Sequence, residues 1–317
     1  MAVYFFSNNS GQALIDCPHR KVIKLNRFNE AAALLPIRLN SELLILPQRM
    51  RDSAEEIRLR AGQPLTVLVN GVEHQVIPDH RVAAEELEST LECATGASVH
   101  AVESGMANGF VSVSGGIRLG ICGTAVMHGD KLHCIRNLSS IAIRIPHEVH
   151  NCGDDEFNKI TEPGIDNTLI VSPPGGGKTT LIRDYIRRIS DSGLRVSVAD
   201  ERGEIAAVYC GEPQFDIGSH TDVLSSAPKA ESAMMLIRAM NPQVLAMDEI
   251  SAEEDIKAIE TAVGCGVKVI ATAHGESVME LNKRPVYKRL MDMQVFRYAV
   301  IIENFRGDRK YRLEELQ

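Results

Sequence analysis

The sequence predicts an α/β protein: a C-terminal half built on a mostly parallel sheet with helices on both faces, preceded by a smaller α+β region. Three observations predict it. From residue 165 onward short apolar runs alternate with helical ones, and a glycine-rich turn over 172–180 joins the first such run to the first such helix. The first half instead strings short β-like runs through Asn-Gly and Gly-Gly turns.

In chain order, residues 29–46 have the apolar spacing of a helix. Residues 56–60 and 65–69 read as strands around Ala61-Gly62-Gln63-Pro64, and Asn70-Gly71 is a hairpin turn into 72–77. Residues 81–93 are helical. The runs 110–113, 117–127 and 132–145 form a second β-rich patch, with Gly115-Gly116 and His128-Gly129-Asp130 as turns. Pro, Gly, Asn and the acidic run Asp154-Asp155-Glu156 mark 146–164 as a linker or a short connecting helix. These boundaries divide the chain into 1–148, a linker at 149–164, and 165–317. In the last part, strands at 167–171, 194–199, 243–247 and 267–272 intersperse with helices at 178–190, 229–240 and 252–263. That alternation implies a mostly parallel sheet with helical crossovers on both faces. A closing hairpin, 295–304 and 310–313 around 306–308, edges that sheet.

At 317 residues the chain has room for two cores, and 44% hydrophobic with 24% charged residues places it among globular proteins. A net charge of −8 argues against a nucleic-acid coat or a broadly basic membrane-binding surface. Cys17, Cys93, Cys122, Cys134, Cys152, Cys210 and Cys265 form no C-x-x-C pair, which fits reduced thiols better than a disulfide framework or zinc site. The apolar run at 2–6 lacks a basic lead and a cleavage site, and no stretch approaches the roughly 18 apolar residues of a membrane span. A cytoplasmic protein is expected, touching a membrane only through partners.

The chemistry concentrates at predicted strand ends. Ser172-Pro173-Pro174-Gly175-Gly176-Gly177-Lys178-Thr179-Thr180 follows an apolar strand and opens a helix. Successive backbone N–H groups of such a turn face phosphate oxygens, and the helix N-terminus adds positive partial charge. The loop is expected to bind ATP, with Lys178 reaching the β and γ phosphates and the Thr179 hydroxyl ligating Mg²⁺. Ser172 replaces the usual first glycine of this motif. Asp248-Glu249 closes the apolar run 244–247, so Asp248 is placed to hold Mg²⁺ and Glu249 to orient and deprotonate an attacking water. That pairing favours hydrolysis over simple nucleotide binding. Asp200-Glu201-Arg202-Gly203-Glu204 ends another strand, making Glu201 and Glu204 further catalytic candidates. Thr272-Ala273-His274-Gly275 ends a third, with His274 placed to sense the γ-phosphate or meet the neighbouring acids.

The ordered set of phosphate loop, acidic strand end, Arg238-Ala239-Met240-Asn241-Pro242, metal carboxylate strand and Thr-Ala-His-Gly resembles the type II and type IV secretion and pilus-retraction ATPases. The joint pattern of Glu55-Glu-Ile-Arg-Leu-Arg60, Gly115-Gly-Ile-Arg118-Leu-Gly-Ile-Cys-Gly123, Ile135-Arg-Asn-Leu-Ser-Ser-Ile-Ala-Ile-Arg144 and Asp200-Glu-Arg-Gly-Glu204 is similar, within that superfamily, to the stage III sporulation protein AA family. The resemblance implies a P-loop NTPase, RecA-like and of the additional-strand catalytic-glutamate type. It also implies a homohexameric ring, a catalytic role for Arg238, and arginines from the N-terminal region closing over the γ-phosphate. Arg144 matches the arginine of that family's pre-linker strand, with Arg136 and Arg118 as weaker candidates; guanidinium groups suit the role because they stay charged and bind phosphate bidentately.

By the same resemblance the partner is the membrane-embedded channel between mother cell and forespore, which an ATP-driven motor would energise from the mother-cell cytoplasm. The alternative is an ATP-bound scaffold that assembles the channel with little turnover. A nucleic-acid translocase is disfavoured by the acidic balance and by basic runs without interleaved aromatics.

Overall fold

The computed structural model describes residues 27–96, 110–129, 131–305 and 308–316. Asp130 and residues 306–307, in two of the expected turns, lie outside them, as does Cys17. Where the spacing predicts one helix over 29–46, three short ones form: α1 (Arg27–Ala32), α2 (Ile37–Leu44) and α3 (Gln48–Asp52). Pro36 and Pro47 have no N–H to continue a helix and stand instead at the N-caps of α2 and α3.

Strands β1 (Ala54–Arg60), β2 (Thr66–Val69) and β3 (Val72–Gln75) follow, then α4 (Ala84–Thr95), β4 (Phe110–Ser112), β5 (Arg118–His128) and β6 (Lys131–Arg144). Asn70 and Gly71 have φ of 51° and 75°, the left-handed pair of a tight hairpin turn. The six strands pair antiparallel in the order β3-β2-β1-β6-β5-β4. Ile57 and Leu59, Leu119 and Ile121, and Ile141 and Ile143 alternate into one core with Phe28, Leu39, Leu43 and Leu87. One row of this sheet bears on the site: Glu56 pairs with Arg144, which pairs with Arg118, so the three side chains share a face.

After α5 (Asp154–Thr161), the helical alternative for the connecting segment, comes a seven-stranded sheet. Its strands are β7 (Thr168–Ser172), β8 (Val196–Asp200), β9 (Thr221–Ser225), β10 (Val244–Met247), β11 (Lys268–His274), β12 (Tyr298–Phe305) and β13 (Asp308–Glu315). The order is β13-β12-β7-β11-β10-β8-β9, parallel throughout except for the β12–β13 hairpin. The helices are α6 (Lys178–Asp191), α7 (Lys229–Met240), α8 (Glu253–Gly264), α9 (Val278–Leu281) and α10 (Pro285–Asp292).

Successive strand residues bury into opposite layers. Ile170, Val196, Val198, Val244, Ala246 and Ile270 pack with Leu181, Ile182, Tyr185 and Ile186 of α6. Leu169, Val171, Leu245, Met247, Val269 and Ala271 pack with Ala233 and Leu236 of α7 and Ile256 and Ile259 of α8. Burial on both faces is why these strands read as unbroken apolar runs. β9 escapes that reading because its residues, Thr-Asp-Val-Leu-Ser, are only half-buried at the sheet edge. Parallel pairing carries the C-terminal ends of β7, β8, β10 and β11 to one edge, and with them Ser172, Asp200, Asp248 and His274. Among the described residues no helix is long and apolar enough to cross a membrane.

Candidate functional site

The loop from β7 to α6 owes its shape to its glycines. Gly175 and Gly177 have φ of 73° and 102°, angles that a side chain disfavours. Gly176 is required for a different reason: a β-carbon there would stand 1.6 Å from Ser172 Oγ. Ser172 is fully buried at the end of β7 in ordinary strand conformation, so the position where the motif usually has glycine demands no glycine here. Its hydroxyl fills the space under the loop instead. Gly176→Ala is therefore expected to spread the loop and lower nucleotide affinity by about tenfold or more, one strong phosphate hydrogen bond being worth about that. Adding Ser172→Gly should restore part of it, as titration of a fluorescent nucleotide would read directly.

Lys178 is buried, and its ammonium donates to the carbonyls of Ser172 (3.0 Å) and Pro173 (3.2 Å) and to His274 Nδ1 (2.8 Å). Burial pushes its pKa down, opposed by the charges of Asp248, Glu249 and Glu204. A lysine has only donors, so His274 Nδ1 must accept and the ring hydrogen resides on Nε2. Nε2 lies 3.2 Å from Glu249 Oε1, and the other carboxylate oxygen of Glu249 accepts from Arg202 at 2.7 Å. Lys178, His274, Glu249 and Arg202 thus form a continuous polar chain across the ends of β7, β11, β10 and β8.

Glu249 holds a left-handed φ of 51°, uncommon for a residue with a side chain. Its N–H donates to Thr272 Oγ1 (2.8 Å), and the same hydroxyl donates to Asp248 Oδ1 (2.6 Å). The other Asp248 oxygen accepts from Thr179 Oγ1 at 3.3 Å. A carboxylate oxygen facing a hydroxyl beside a phosphate-type loop is the hard oxygen donor set that suits Mg²⁺.

The segment after β8 is built on Asp200. This carboxylate is 1% exposed and accepts from the backbone N–H groups of Glu204 (2.8 Å), Ile205 (3.2 Å) and Ala206 (2.9 Å). Burial raises its pKa against those donors. The loop so formed meets both neighbours. Arg118 of β5 donates to the carbonyls of Arg202 (2.6 Å) and Gly203 (2.7 Å) and pairs with Glu204 at 3.3 Å. Arg183 of α6, one turn after the phosphate loop, donates to the carbonyls of Glu204 and Ile205, both at 2.6 Å, and stacks on Phe215. Gln214, beside it, accepts from Gly115 N–H (2.7 Å) through its side chain and from Arg27 (2.8 Å) through its carbonyl.

The structure brings together Lys178, Thr179, Asp248, Glu249 and His274, and sets Glu204 on the adjoining loop. Glu201 lies 3.7 Å from the ammonium of Lys229, which also donates to the Glu249 carbonyl. Arg144 is 70% exposed and paired with Glu56 at 3.2 Å, so of the three N-terminal arginines Arg118 is the one seated on the nucleotide-side loop. Arg136 is exposed on the outer part of the β5–β6 ribbon, eight residues from Arg144 along β6. Arg238 occupies the last turn of α7; Lys229, in its first turn, donates to the Glu249 carbonyl, so the length of the helix carries Arg238 away from the site. Arg183 stands in no motif, and the motifs that hold Asp200, Arg202 and Thr272 assign those three no role. Arg202 and Asp200 were legible as part of the charged strand exit, but what each one holds depends on how the loop folds back.

A model of the family described as "Sporulation stage III, protein AA" matches residues 27–312. The chain belongs to this family. Within it, "Stage III sporulation protein AA" of Bacillus subtilis (strain 168) is 34% identical over 275 residues, covering 85% of this chain and 89% of that protein. Among solved structures, the Yersinia pseudotuberculosis ATPase DotB is similar with a TM-score of 0.60 at 16% identity, over 89% of this chain and 80% of its own. The pilus retraction motor PilT with bound ADP is similar with a TM-score of 0.55 at 17% identity, over 84% of this chain and 81% of its own. At such identities the likeness concerns the fold: a mixed α/β protein with an antiparallel N-terminal sheet and a mostly parallel second sheet, resembling secretion ATPases.

Proposed function

We propose that this sporulation protein is an ATP-hydrolysing motor subunit, RecA-like and of the additional-strand catalytic-glutamate type, working as a homohexameric ring. The observation that carries the reading is the meeting of Lys178 and Glu249 on the two nitrogens of one histidine, at the strand edge where Thr179 and Asp248 also face each other. β11 standing between β7 and β10 supports the additional-strand type. We divide the chain into an N-terminal domain at 1–148, a linker at 149–164 and an ATPase domain at 165–317.

In the mechanism, Lys178 exchanges the carbonyls of Ser172 and Pro173 for the β and γ phosphates, and the loop N–H groups take the remaining oxygens. Thr179 and Asp248 would hold Mg²⁺, which neutralises charge on the phosphates when bound. Glu249 accepts the proton of the attacking water, with His274 Nε2–H orienting one of its oxygens. The Arg202 contact must yield for the carboxylate to act as a base; Arg202 is largely exposed, and an exposed pair of this kind costs only about 0–1 kcal/mol to break. Arg118 grips the carbonyls of Arg202 and Gly203, so movement of the N-terminal sheet reaches Glu249 through this loop. That linkage is the power stroke in outline: nucleotide state sets the loop, and the loop sets the N-terminal domain. The load would be the membrane channel between mother cell and forespore.

Mass measurement in solution with and without ATP, alongside phosphate release, tests the proposal. Six subunits with turnover support the motor. Six subunits with nucleotide bound and no turnover support the scaffold, and a monomer that neither binds nor hydrolyses ATP refutes both.

A further inference from the structure

The last strand of the C-terminal sheet brings Arg309 against the phosphate loop. β12 runs parallel to β7 with Ile301 opposite Val171, so both leave the sheet at the same edge, and Arg309 on the returning strand β13 stands opposite Asn304 near the hairpin tip. Its side chain lies against Gly177. A β-carbon at that glycine would be 2.9 Å from Arg309 Cζ, 3.0 Å from Nε and 3.1 Å from Nη1. Gly177 is the N-cap of α6.

This placement is electrostatically unbalanced. A helix N-terminus carries positive partial charge and repels a cation. Arg309 is exposed and makes no ion pair among the described residues; Asp154 and Asp184 act on the same neighbour, Cys152, without pairing with it. An anion lying on the loop would reverse the sign of the interaction, meeting the guanidinium and the helix terminus together. Lys178 lies buried under the loop, bonded to Ser172 and Pro173, whereas Arg309 covers it from the hairpin.

Resting on the nucleotide-binding reading above, we propose that Arg309 is a phosphate-binding residue supplied in cis by the C-terminal hairpin, closing over the nucleotide's phosphate chain across Gly177. This role is separate from those of the arginines of the N-terminal sheet.

Titration of the full chain with a fluorescent ADP analogue tests this. Arg309→Ala and Arg309→Gln are each expected to weaken binding by roughly tenfold, the range for one charge-assisted hydrogen bond. Arg309→Lys, which keeps the charge but not the planar fork, should fall between them and wild type. The unliganded melting temperature should stay within a few degrees of wild type in all three. Equal affinity for wild type and Arg309→Ala overturns the inference while leaving the parent reading intact. Near-wild-type binding by Arg309→Gln beside weak binding by Arg309→Ala assigns packing rather than phosphate contact, and overturns it too. No binding by wild type removes the parent reading and this one together.

Discussion

Glu249→Gln is expected to lower the rate of phosphate release by about 10²–10⁴-fold, the range a positioned general base contributes, while nucleotide stays bound. The substitution is nearly isosteric. It keeps an oxygen to accept from His274 Nε2 or from Arg202, and it leaves Asp248, Thr179 and the glycine loop untouched. What it removes is the negative charge that takes a proton from water. Lys178→Ala should fail differently, because the ammonium contacts Ser172 and Pro173 directly and its removal empties the loop of its principal phosphate ligand. Loss of both affinity and turnover is expected there, against loss of turnover alone for Glu249→Gln. Retained phosphate release by Glu249→Gln would assign the base elsewhere. In cells the same variant separates the two roles: a scaffold needs only the bound nucleotide and should still support sporulation, whereas a motor should not.

The sheet edge that gathers these residues was legible because each strand is buried on both faces and so reads as an apolar run with a polar exit. Ser172, Asp200, Asp248 and His274 all sit at or just beyond such exits. Element boundaries failed where proline intervened, as at Pro36 and Pro47, since apolar spacing carries on through a break that the missing N–H enforces. The larger gap concerns which charged residues meet. Arg202 reaches Glu249 and Arg118 reaches Gly203 across sequence separations that no local pattern encodes. Arg144 is expected as a phosphate ligand from the family resemblance, and no local pattern shows what it pairs with. Glu56, its cross-strand partner in the register, supplies it with a local carboxylate, and of the three N-terminal arginines Arg118 extends to the loop.

That loop exists because of Asp200, and Asp200→Ala is expected to destabilise the protein by about 3–5 kcal/mol. Three backbone N–H groups converge on the carboxylate, and each buried donor left without an acceptor costs about 1–3 kcal/mol, less what water entering the vacated space recovers. The damage should spread, because Glu204 and Ile205 also give their carbonyls to Arg183 of α6, and Arg202 and Gly203 give theirs to Arg118. Hydrogen exchange should therefore quicken first at the amides of 204–206, then at the contact with the N-terminal sheet. Asp200→Asn retains an acceptor for two of the donors but turns an amide N–H toward Ala206, so an intermediate loss is expected. The pH dependence has a definite sign. Burial raises the folded pKa of Asp200 above its ordinary value near 3.8, so the folded state binds the proton more tightly than the unfolded one. Its contribution to stability is complete below about 3.8 and declines as pH rises through the folded value. Glu73, Glu86 and Asp166, whose pKa values are lowered by their cationic partners, slope the other way, so the Asp200 contribution is the difference in slope between wild type and Asp200→Ala in chemical denaturation across that window. A loss under about 1 kcal/mol would mean that the loop's shape is set by Arg118 and Arg183 rather than by the carboxylate beneath it, and an unchanged slope would mean that burial does not raise the Asp200 pKa.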